Sequence, residues 1–355
     1  MDLPTLHGEF LLAVTGGIQV GPDGRVHTTF GHNPSTLRLC SFDPNMQNIP
    51  RGGGEWERLV KAMFVAPPGY MFWERDYSGI EAVLVGYFAG ARGYTRLAKL
   101  DVHSFYTAYG LHTLDGRVSA NDLPSLDWDN ERLRKRLAEI KKEFGKDRNS
   151  LYKHLVHGAN FLQSPKGAQE KIFKETNIVY DVKLIKKVMD VYFELFPEIR
   201  VWHRAVCESV DGTRRDEEKS DHGVCYARNP FGYIHHFYNV LNWEKIDGKW
   251  YSSFGEDAKR LVAFLPQSTA SAIIKQSARK IYYEYPWVGN TLRLLIHDAT
   301  FGECRDSDID SCLRVSQEVM ESPIPQLPLD PSWGMGEFLT ILTEAKVGPT
   351  WADMH

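Results

Sequence analysis

The stretch Met71–Gly90, MFWERDYSGIEAVLVGYFAG, most constrains what this chain can fold into. It opens with Met-Phe-Trp, the large apolar and aromatic residues typical of a short buried strand. From Ile80 to Tyr87 apolar residues recur at helical spacing, so a helix follows the strand at once. Asp76 stands where the strand should end. An acid there can bind a divalent cation, or it can simply cap the helix.

A second stretch, Thr291–Cys304, alternates large apolar residues with others up to an acid and then continues into another short apolar run. This pattern predicts a β-hairpin with His297 and Asp298 at or near its tip. An ordinary turn aspartate is the plainer interpretation of Asp298 by itself.

A third stretch, Arg148–Gly167, reads as a helix. Lys153, His157 and Phe161 follow one another at intervals of four and therefore share one helical face. A lysine, an imidazole and an aromatic ring in that order would suit a triphosphate, a sugar and a base. The alternative is a solvated lysine beside two half-buried rings.

Composition places few limits on function. The chain has 355 residues, 43% hydrophobic and 25% charged, which is ordinary for a globular protein. Its formal net charge of −4 neither indicates nor excludes nucleic-acid binding, because local distribution decides that. No run is apolar enough to cross a membrane. Five cysteines without C-x-x-C spacing, and no signal peptide, favour the cytoplasm or another reducing intracellular compartment and no zinc site.

Periodicity predicts further helices at 56–64, 130–144, 164–175, 182–196, 199–209 and 257–283, the last one kinked at Pro266. A hairpin is predicted at 224–238 and loops at 111–130 and 211–221. The segment 241–256 is ambiguous. The helix at 130–144 is the most basic part of the chain, which is either a solvated face or a surface toward nucleic acid or nucleotide.

The three stretches resemble family A DNA polymerases, the bacterial DNA polymerase I type. That family carries D-Y-S-x-I-E after a palm strand, K-x-x-x-F-G-x-x-Y-G on a fingers helix, V-H-D-E in a palm hairpin and S-x-D-P-N-x-Q-N-I-P before them. The matching blocks here are Asp76–Glu81, Lys153–Leu162, Ile296–Ala299 and Ser41–Pro50. Four blocks in the right order are a strong signal, whereas each alone would be weak.

The resemblance implies an α+β fold, a truncated right hand with an antiparallel palm sheet and a mostly helical fingers subdomain. We expect a short remnant at 1–25, palm at 26–100 and 223–355, and fingers at 101–222. Twenty-five residues hold neither the family's thumb nor its exonuclease domain, while the C-terminal text is similar to the family's usual ending. We therefore expect either a split polymerase, with thumb and exonuclease on a separate chain, or a shortened polypeptide.

The resemblance also implies an activity: template-directed DNA synthesis from dNTPs on primer–template DNA by two-metal nucleotidyl transfer. Asp76 and Asp298 would hold two Mg²⁺ ions about 4 Å apart, with Mn²⁺ as an alternative. Lys153 would bind the triphosphate and donate a proton to the departing pyrophosphate.

Other residues are assigned to the incoming nucleotide by the same resemblance. Glu81 would pack under the sugar and exclude a 2′-hydroxyl, and His103 would contact the phosphates. Tyr77 is likewise assigned to nucleotide binding. Arg148 would be a second phosphate ligand, although it lies five residues before Lys153 where the family has four.

Two further positions depart from the family pattern while keeping a flat ring. His157 replaces the usual Phe or Tyr beneath the sugar, so sugar selectivity does not carry over. Phe161 replaces a Tyr that guides template and nucleotide, so any hydrogen bond of that hydroxyl is lost.

Amide-rich segments are assigned to the duplex. Asn and Gln both donate and accept, and minor-groove acceptors occur on every base pair, so such contacts test duplex shape rather than sequence. A loop held by its own amides is the alternative for Ser41–Pro50, and a satisfied core amide is the alternative for Gln267. The residues assigned to DNA are Arg38, Asn45, Gln47, Asn48, Gln267 and His297.

Two rival functions stay open. A single-subunit RNA polymerase shares this architecture, although Glu81 and the Q-N-I-P block argue against it. A non-catalytic DNA-binding or scaffolding relic is favoured by His157, by the missing thumb and by Ala299, where the family usually has Glu. Both metal aspartates and Lys153 argue against the relic.

Overall fold

The computed structural model describes residues 20–32, 35–49, 55–111, 131–210 and 225–354, without the side chains of residues 131 and 132. Residues 1–19 of the predicted remnant, residues 112–130 of the predicted loop at 111–130, and the predicted loop at 211–221 lie outside this part. No helix in the described ranges combines the length and the apolar character needed to cross a lipid bilayer.

Helices and strands both contribute to the described part of the chain. The helices are α1 (Glu55–Ala62), α2 (Ile80–Phe88), α3 (Arg92–Leu100), α4 (Val102–Gly110), α5 (Glu131–Glu143), α6 (Lys153–Asn160), α7 (Pro165–Thr176), α8 (Val182–Leu195), α9 (Pro197–Val210), α10 (Ala258–Glu284) and α11 (Ile309–Met320). Shorter helical turns lie between them. The predicted helices are confirmed within a few residues, and α10 continues through Pro266.

The strands pair only with antiparallel neighbours. They are β1 (Thr29–His32), β2 (Leu39–Phe42), β3 (Tyr70–Tyr77), β4 (Cys225–Arg228), β5 (Ile234–Phe237), β6 (Leu241–Ile246), β7 (Lys249–Phe254), β8 (Leu292–Ile296), β9 (Ala299–Arg305), β10 (Ile324–Pro328), β11 (Phe338–Leu339) and β12 (Thr343–Gly348). The ambiguous segment 241–256 proves to be a second hairpin, β6–β7.

The chain divides into two compact units. Unit 1 comprises the described residues of Met1–Ser78, Ala270–Pro328 and Glu337–His355, and unit 2 those of Gly79–Thr269 and Leu329–Gly336. The sequence suggested divisions near residues 100 and 222, whereas the compact units divide at 78 and 269. One reason is that α2 packs against α3, which keeps both helices in unit 2.

Unit 1 is built on a four-stranded sheet of order β12-β3-β9-β8. Strand β3 is central and is paired along its length with β12 and β9. Alternation along β3 sends Phe72 to one face, where it joins a core with Ile296, Phe301 and Trp351. Trp73 points to the other face, toward a core shared with helix α11. The predicted antiparallel palm sheet is confirmed as a fold.

The buried Arg75 ties the sheet to α11. Its guanidinium donates to Ser316 Oγ at 2.9 Å, to Thr343 Oγ1 at 3.0 Å and to the Leu313 carbonyl at 2.9 Å. Burial lowers the pKa of Arg75, and the charge of Glu321 opposes that shift. Arg75 therefore anchors β3, the strand that carries Asp76, to α11.

Unit 2 is mostly helical and also contains the hairpins β4–β5 and β6–β7. Aromatic side chains form much of its interior: Tyr94, Tyr106, Tyr192 and Phe196 are all almost fully buried and meet edge to face. The expected combination of an antiparallel sheet and a helical body is thus present, and the fold class α+β is confirmed.

Gly302 of β9 lies directly opposite Trp73 of β3. The indole is 0% exposed, and its Nε1 donates to Thr291 Oγ1 at 3.2 Å. A Cβ on Gly302 would overlap the indole ring. Because the surrounding core is close-packed, the ring has little room to move away.

We therefore expect Gly302→Ala to lower the free energy of unfolding by about 1–3 kcal/mol through overpacking, as measured by urea denaturation. Gly145→Ala is the matched control, since a Cβ at that helical turn meets nothing within 4 Å. The control should be neutral or slightly stabilising. A Gly302→Ala protein as stable as the parent would contradict the packing described for this face.

Candidate active site

Asp76 is the penultimate residue of β3 and projects from the same face as Phe72. Its Cα partner across the sheet is Ala299, the residue that follows Asp298. The half-buried carboxylate borders a cavity of about 330 Å³ lined also by Gln47, Glu74 and Lys346. Asp76 therefore stands at the end of the central strand, beside the β8–β9 turn, as the sequence predicted.

The β8–β9 turn consists of His297 and Asp298, so the predicted hairpin is confirmed. His297 has a positive φ of 54° and an exposed side chain. The Asp298 carbonyl accepts the Tyr77 amide at 3.3 Å, which places the turn alongside the end of β3. The Asp298 side chain is 18% exposed and lies 4.0 Å from the Arg38 guanidinium.

The donor chemistry at this edge of the sheet suits a hard divalent cation. Asp76 and Asp298 supply carboxylate oxygens, the ligand type that Mg²⁺ prefers, and Mg²⁺ characteristically takes only one or two protein carboxylates. Within the described residues, no group of three or more His, Cys, Asp or Glu side chains is arranged to hold a metal ion. Asp76 at the end of β3 and Asp298 in the neighbouring turn therefore have the ligand chemistry that the predicted Mg²⁺ ions require.

Tyr77 does not belong with the nucleotide ligands. Its side chain is 4% exposed, and its hydroxyl donates to the Met320 carbonyl at 2.8 Å and lies 2.9 Å from Ser277 Oγ. Burial raises the pKa of the phenol, so the hydroxyl stays protonated. The sequence assignment is corrected because alternation along β3 turns Tyr77 toward α11, away from the face of Asp76.

The side-chain amides of the loop after β2 are mostly used to hold that loop in place. Asn45 Oδ1 accepts from Ser41 Oγ at 3.0 Å and from the Gln47 amide at 3.1 Å. The Gln47 side chain donates to the Leu295 carbonyl of β8 at 2.8 Å and is 7% exposed. The alternative of a loop held by its own amides thus describes Asn45, the Gln47 side chain ties the loop to β8, and Asn48 is exposed.

Unit 2 holds the predicted phosphate residues on and just before α6. Lys153 is exposed at the first position of α6. Residues Arg148–Tyr152 form a π-helical turn, in which the Lys153 amide donates to the Arg148 carbonyl five residues earlier. This wider turn absorbs one extra residue. The spacing of five between Arg148 and Lys153, which departs from the family pattern, is therefore accommodated by the backbone.

Arg148, predicted as a second phosphate ligand, has a protein partner in the structure. Both oxygens of Asp101 accept from its Nη2 at 3.1 Å, and Ser104 Oγ accepts from its Nε at 3.0 Å. The Arg148 side chain is only 11% exposed. Its charge is matched by a carboxylate that is 16% exposed, and this ion pair fastens the π-helical turn to the start of α4. The phosphate role of Arg148 stays a prediction.

His103 lies in the first turn of α4, next to this pair. Burial is the main cause that lowers its pKa to about 3, with Arg148, Lys153 and His157 adding to the shift and Asp101 opposing it. Its Nδ1 is buried with no hydrogen-bond partner in the part of the chain that the structure describes. His103 is therefore neutral near pH 7 and can offer a ligand an N–H group but no charge.

Two further predicted residues of unit 2, Glu81 and Phe161, lie beside His157. Its Nδ1 lies 3.6 Å from Glu81 Oε2 of α2, and its ring meets Phe161 edge to face at 4.8 Å. Phe161 caps the C-terminal end of α6 instead of lying within the helix, and it is 4% exposed. The predicted three-residue face thus holds for Lys153 and His157, while Phe161 packs behind the imidazole. Gln267, in α10, is half-buried.

Sequence reasoning missed Asn160, which anchors the end of α6. Its side-chain carbonyl accepts from Tyr192 Oη at 2.5 Å, and its amide nitrogen donates to Tyr94 Oη at 3.0 Å. Its backbone carbonyl accepts from His203 Nε2 at 2.9 Å. The available signal was an amide four residues after Val156, on the apolar side of the helix.

Comparison with known proteins adds independent observations. Residues 6–119 match the family model for DNA polymerase family A. The thermostable DNA polymerase I of Thermus aquaticus is 25% identical over 320 residues, 88% of this chain and 32% of that protein. DNA polymerase I of Pseudomonas aeruginosa is 42% identical over 89 residues, 24% of this chain and 10% of that protein.

A solved structure also has a similar fold. The POL domain of Pol1 from M. smegmatis, in complex with DNA primer-template and dNTP, matches with a TM-score of 0.57 at 22% identity. The match covers 94% of this chain and 49% of that one. At this identity the likeness establishes the fold alone.

The buried His203 predicts how unit 2 responds to acid. Burial lowers its pKa to about 4, whereas an unfolded histidine titrates near 6.5. Between these values only the unfolded chain takes up the proton, so stability is fully present above about pH 6.5 and declines as the pH falls toward 4.

We expect proton uptake by His203 in the unfolded chain to lower the free energy of unfolding by about 2 kcal/mol as the pH falls from 7 to 5. His203→Gln, which keeps a donor for the Asn160 carbonyl, should lose less stability over the same interval. The measurement is the free energy of unfolding at both pH values for parent and variant. An identical pH dependence in the two proteins would show that His203 does not carry the effect.

Proposed function

The chain is a relative of the family A DNA polymerases, and on that premise we propose that it adds deoxyribonucleotides to the 3′ end of a primer on a DNA template. Activity, substrates and metal all belong to the proposal, because the chain covers 32% of the length of the Thermus aquaticus relative. The observation that supports it most is the position of Asp298, whose carbonyl accepts the amide next to Asp76.

Asp76 and Asp298 are the proposed cation ligands. Asp76 is near the end of β3, and Asp298 belongs to the β8–β9 turn, whose backbone accepts a hydrogen bond from the amide that follows Asp76. Bound divalent cations, expected to be two Mg²⁺ ions with Mn²⁺ as an alternative, would lower the pKa of the primer 3′-hydroxyl and neutralise the leaving pyrophosphate. Arg38, 4.0 Å from Asp298, partly balances the carboxylate charge without such ions.

The nucleotide ligands of unit 2 divide into a charged and a neutral group. Lys153 is exposed at the start of α6 and supplies a positive charge for the triphosphate, with a proton available for pyrophosphate. His103 is neutral because burial depresses its pKa, so it contributes hydrogen bonding. Arg148 keeps its charge on Asp101 and acts indirectly by holding the π-helical turn.

Sugar choice is assigned to Glu81 in the first turn of α2. Its side chain is 21% exposed, which leaves the carboxylate accessible to a ligand. A carboxylate beside the sugar leaves little room for a 2′-hydroxyl and repels its oxygen, which favours deoxyribonucleotides. The proposed duplex contacts are the side chains that remain accessible: Arg38, Asn48, Gln267 and His297.

A non-catalytic DNA-binding role is the second candidate, and it has one specific observation in its favour. Ala299, where the family usually has Glu, is 1% exposed and lies directly opposite Asp76. Primer extension with and without Mg²⁺, set beside a primer–template binding assay, separates the two functions. Binding without extension in any divalent cation would favour the second candidate.

Asp298→Asn should slow primer extension by about 100-fold or more, because an amide lacks the negative charge that a divalent cation requires. Asp310→Asn is the matched control, since Asp310 is an exposed aspartate of α11 in the same unit. Both variants should unfold at the parent's denaturant midpoint. Full extension by Asp298→Asn would rule out the metal assignment.

Glu81→Ala should raise the ratio of ribonucleotide to deoxyribonucleotide incorporation by about 10-fold or more, since the group that excludes the 2′-hydroxyl is removed. The ratio is obtained from kcat/KM for each nucleotide on one primer–template. An unchanged ratio would remove Glu81 from sugar selection, and a parent protein that prefers ribonucleotides would indicate an RNA polymerase.

A further inference from the structure

The contact between Glu81 and His157 joins two elements of unit 2 at the residue assigned to sugar choice. His157 Nδ1 lies 3.6 Å from Glu81 Oε2, and the two side chains are 39% and 21% exposed. Glu81 belongs to the first turn of α2, and His157 lies one turn after Lys153 on α6. Both side chains are thus accessible to a ligand while they are close enough to interact.

The imidazole is supported from its other side. Phe161 meets it edge to face at 4.8 Å and is itself 4% exposed, so the ring behind His157 belongs to the core. Asn160, at the end of the same helix, is hydrogen-bonded to buried tyrosines. His157 therefore stands on a rigid base, whereas a glutamate side chain by itself has several rotamers of similar energy.

The residue type at position 157 decides whether this contact exists. An imidazole can donate an N–H group to a carboxylate and can carry a positive charge, whereas a phenyl ring can do neither. The resemblance places Phe or Tyr here. The contact with Glu81 is thus a consequence of the histidine found in this chain.

We propose that His157 is a positioning residue for sugar selection, and that it holds the Glu81 carboxylate in the place where it excludes a 2′-hydroxyl. This inference rests on the proposed function. Without the imidazole, the contact from α6 to Glu81 is lost, the carboxylate is held less firmly, and a ribose is admitted more often. The effect falls on discrimination between two nucleotides and not on the chemical step common to both.

The central variant is His157→Phe, which keeps a flat ring and removes the N–H groups. Its ribonucleotide-to-deoxyribonucleotide ratio of kcat/KM should rise about two- to fivefold, the range that a partly exposed polar contact can supply. The change should lie mainly in KM for the ribonucleotide. His157→Gln, which retains a donor, should restore part of the discrimination.

Two further variants separate positioning from other effects. In the double variant Glu81→Ala with His157→Phe, the ratio should equal that of Glu81→Ala alone, since there is no carboxylate left to hold. A direct effect of the phenyl ring on the sugar would persist in this background and would shift the ratio away from that of Glu81→Ala. His154→Phe is the matched control, because His154 lies on the same helix and faces a different carboxylate, Glu175, at 3.4 Å.

The same ratio can be measured without turnover. Affinities of a ribonucleotide and a deoxyribonucleotide are compared on a complex of the full chain with a primer–template whose primer ends in a dideoxynucleotide. His157→Phe should reduce the ratio of the two affinities by the same two- to fivefold, as expected when the partly exposed contact between Glu81 and position 157 is lost.

The outcomes distinguish this inference from the proposed function. If Glu81→Ala raises the ratio and His157→Phe leaves it unchanged, the inference is wrong while the sugar-selecting role of Glu81 stands. Additive effects in the double variant would also overturn it. If Glu81→Ala changes nothing in either assay, the role of Glu81 in the proposed function fails first.

Discussion

The pairing of β3 with a strand on each side is the constraint on which the rest of unit 1 depends. A strand paired on both edges cannot slip without moving every side chain to the opposite face. Asp76 therefore keeps its place beside the β8–β9 turn, and Arg75 stays buried against α11. The position of one catalytic candidate is thus set by the packing of residues that never meet a substrate.

In unit 2, two of the groups beside Lys153 carry no unmatched charge. Asp101 forms an ion pair with Arg148. Burial lowers the pKa of His103 and so keeps its imidazole neutral. Lys153 is then an exposed cation at the start of a helix whose far end is fixed by Asn160. A rigid support under a small number of accessible groups is the arrangement expected of a binding surface, because little ordering entropy remains to be lost on binding.

Much of the fold was predictable because its signals are local. The strand–acid–helix order around Asp76, the hairpin at Asp298 and the helix boundaries follow from periodicity and turn residues within short windows. The prediction for Tyr77 was wrong, and the sequence did not indicate the Asp101 partner of Arg148, in both cases for a non-local reason. A motif places a residue along the chain, but the direction of its side chain and the partner it meets depend on elements distant in sequence, α11 for Tyr77 and α4 for Arg148.

The sequence by itself determined which residue types stand at which element ends, and with them the resemblance to a family and the candidate aspartates. Only the tertiary structure decided that Arg148 is matched by Asp101, that a π-helical turn absorbs an extra residue, and that His157 meets Glu81. The reason is physical: periodicity arises from contacts within one element, whereas ion pairs between elements depend on how separate helices pack.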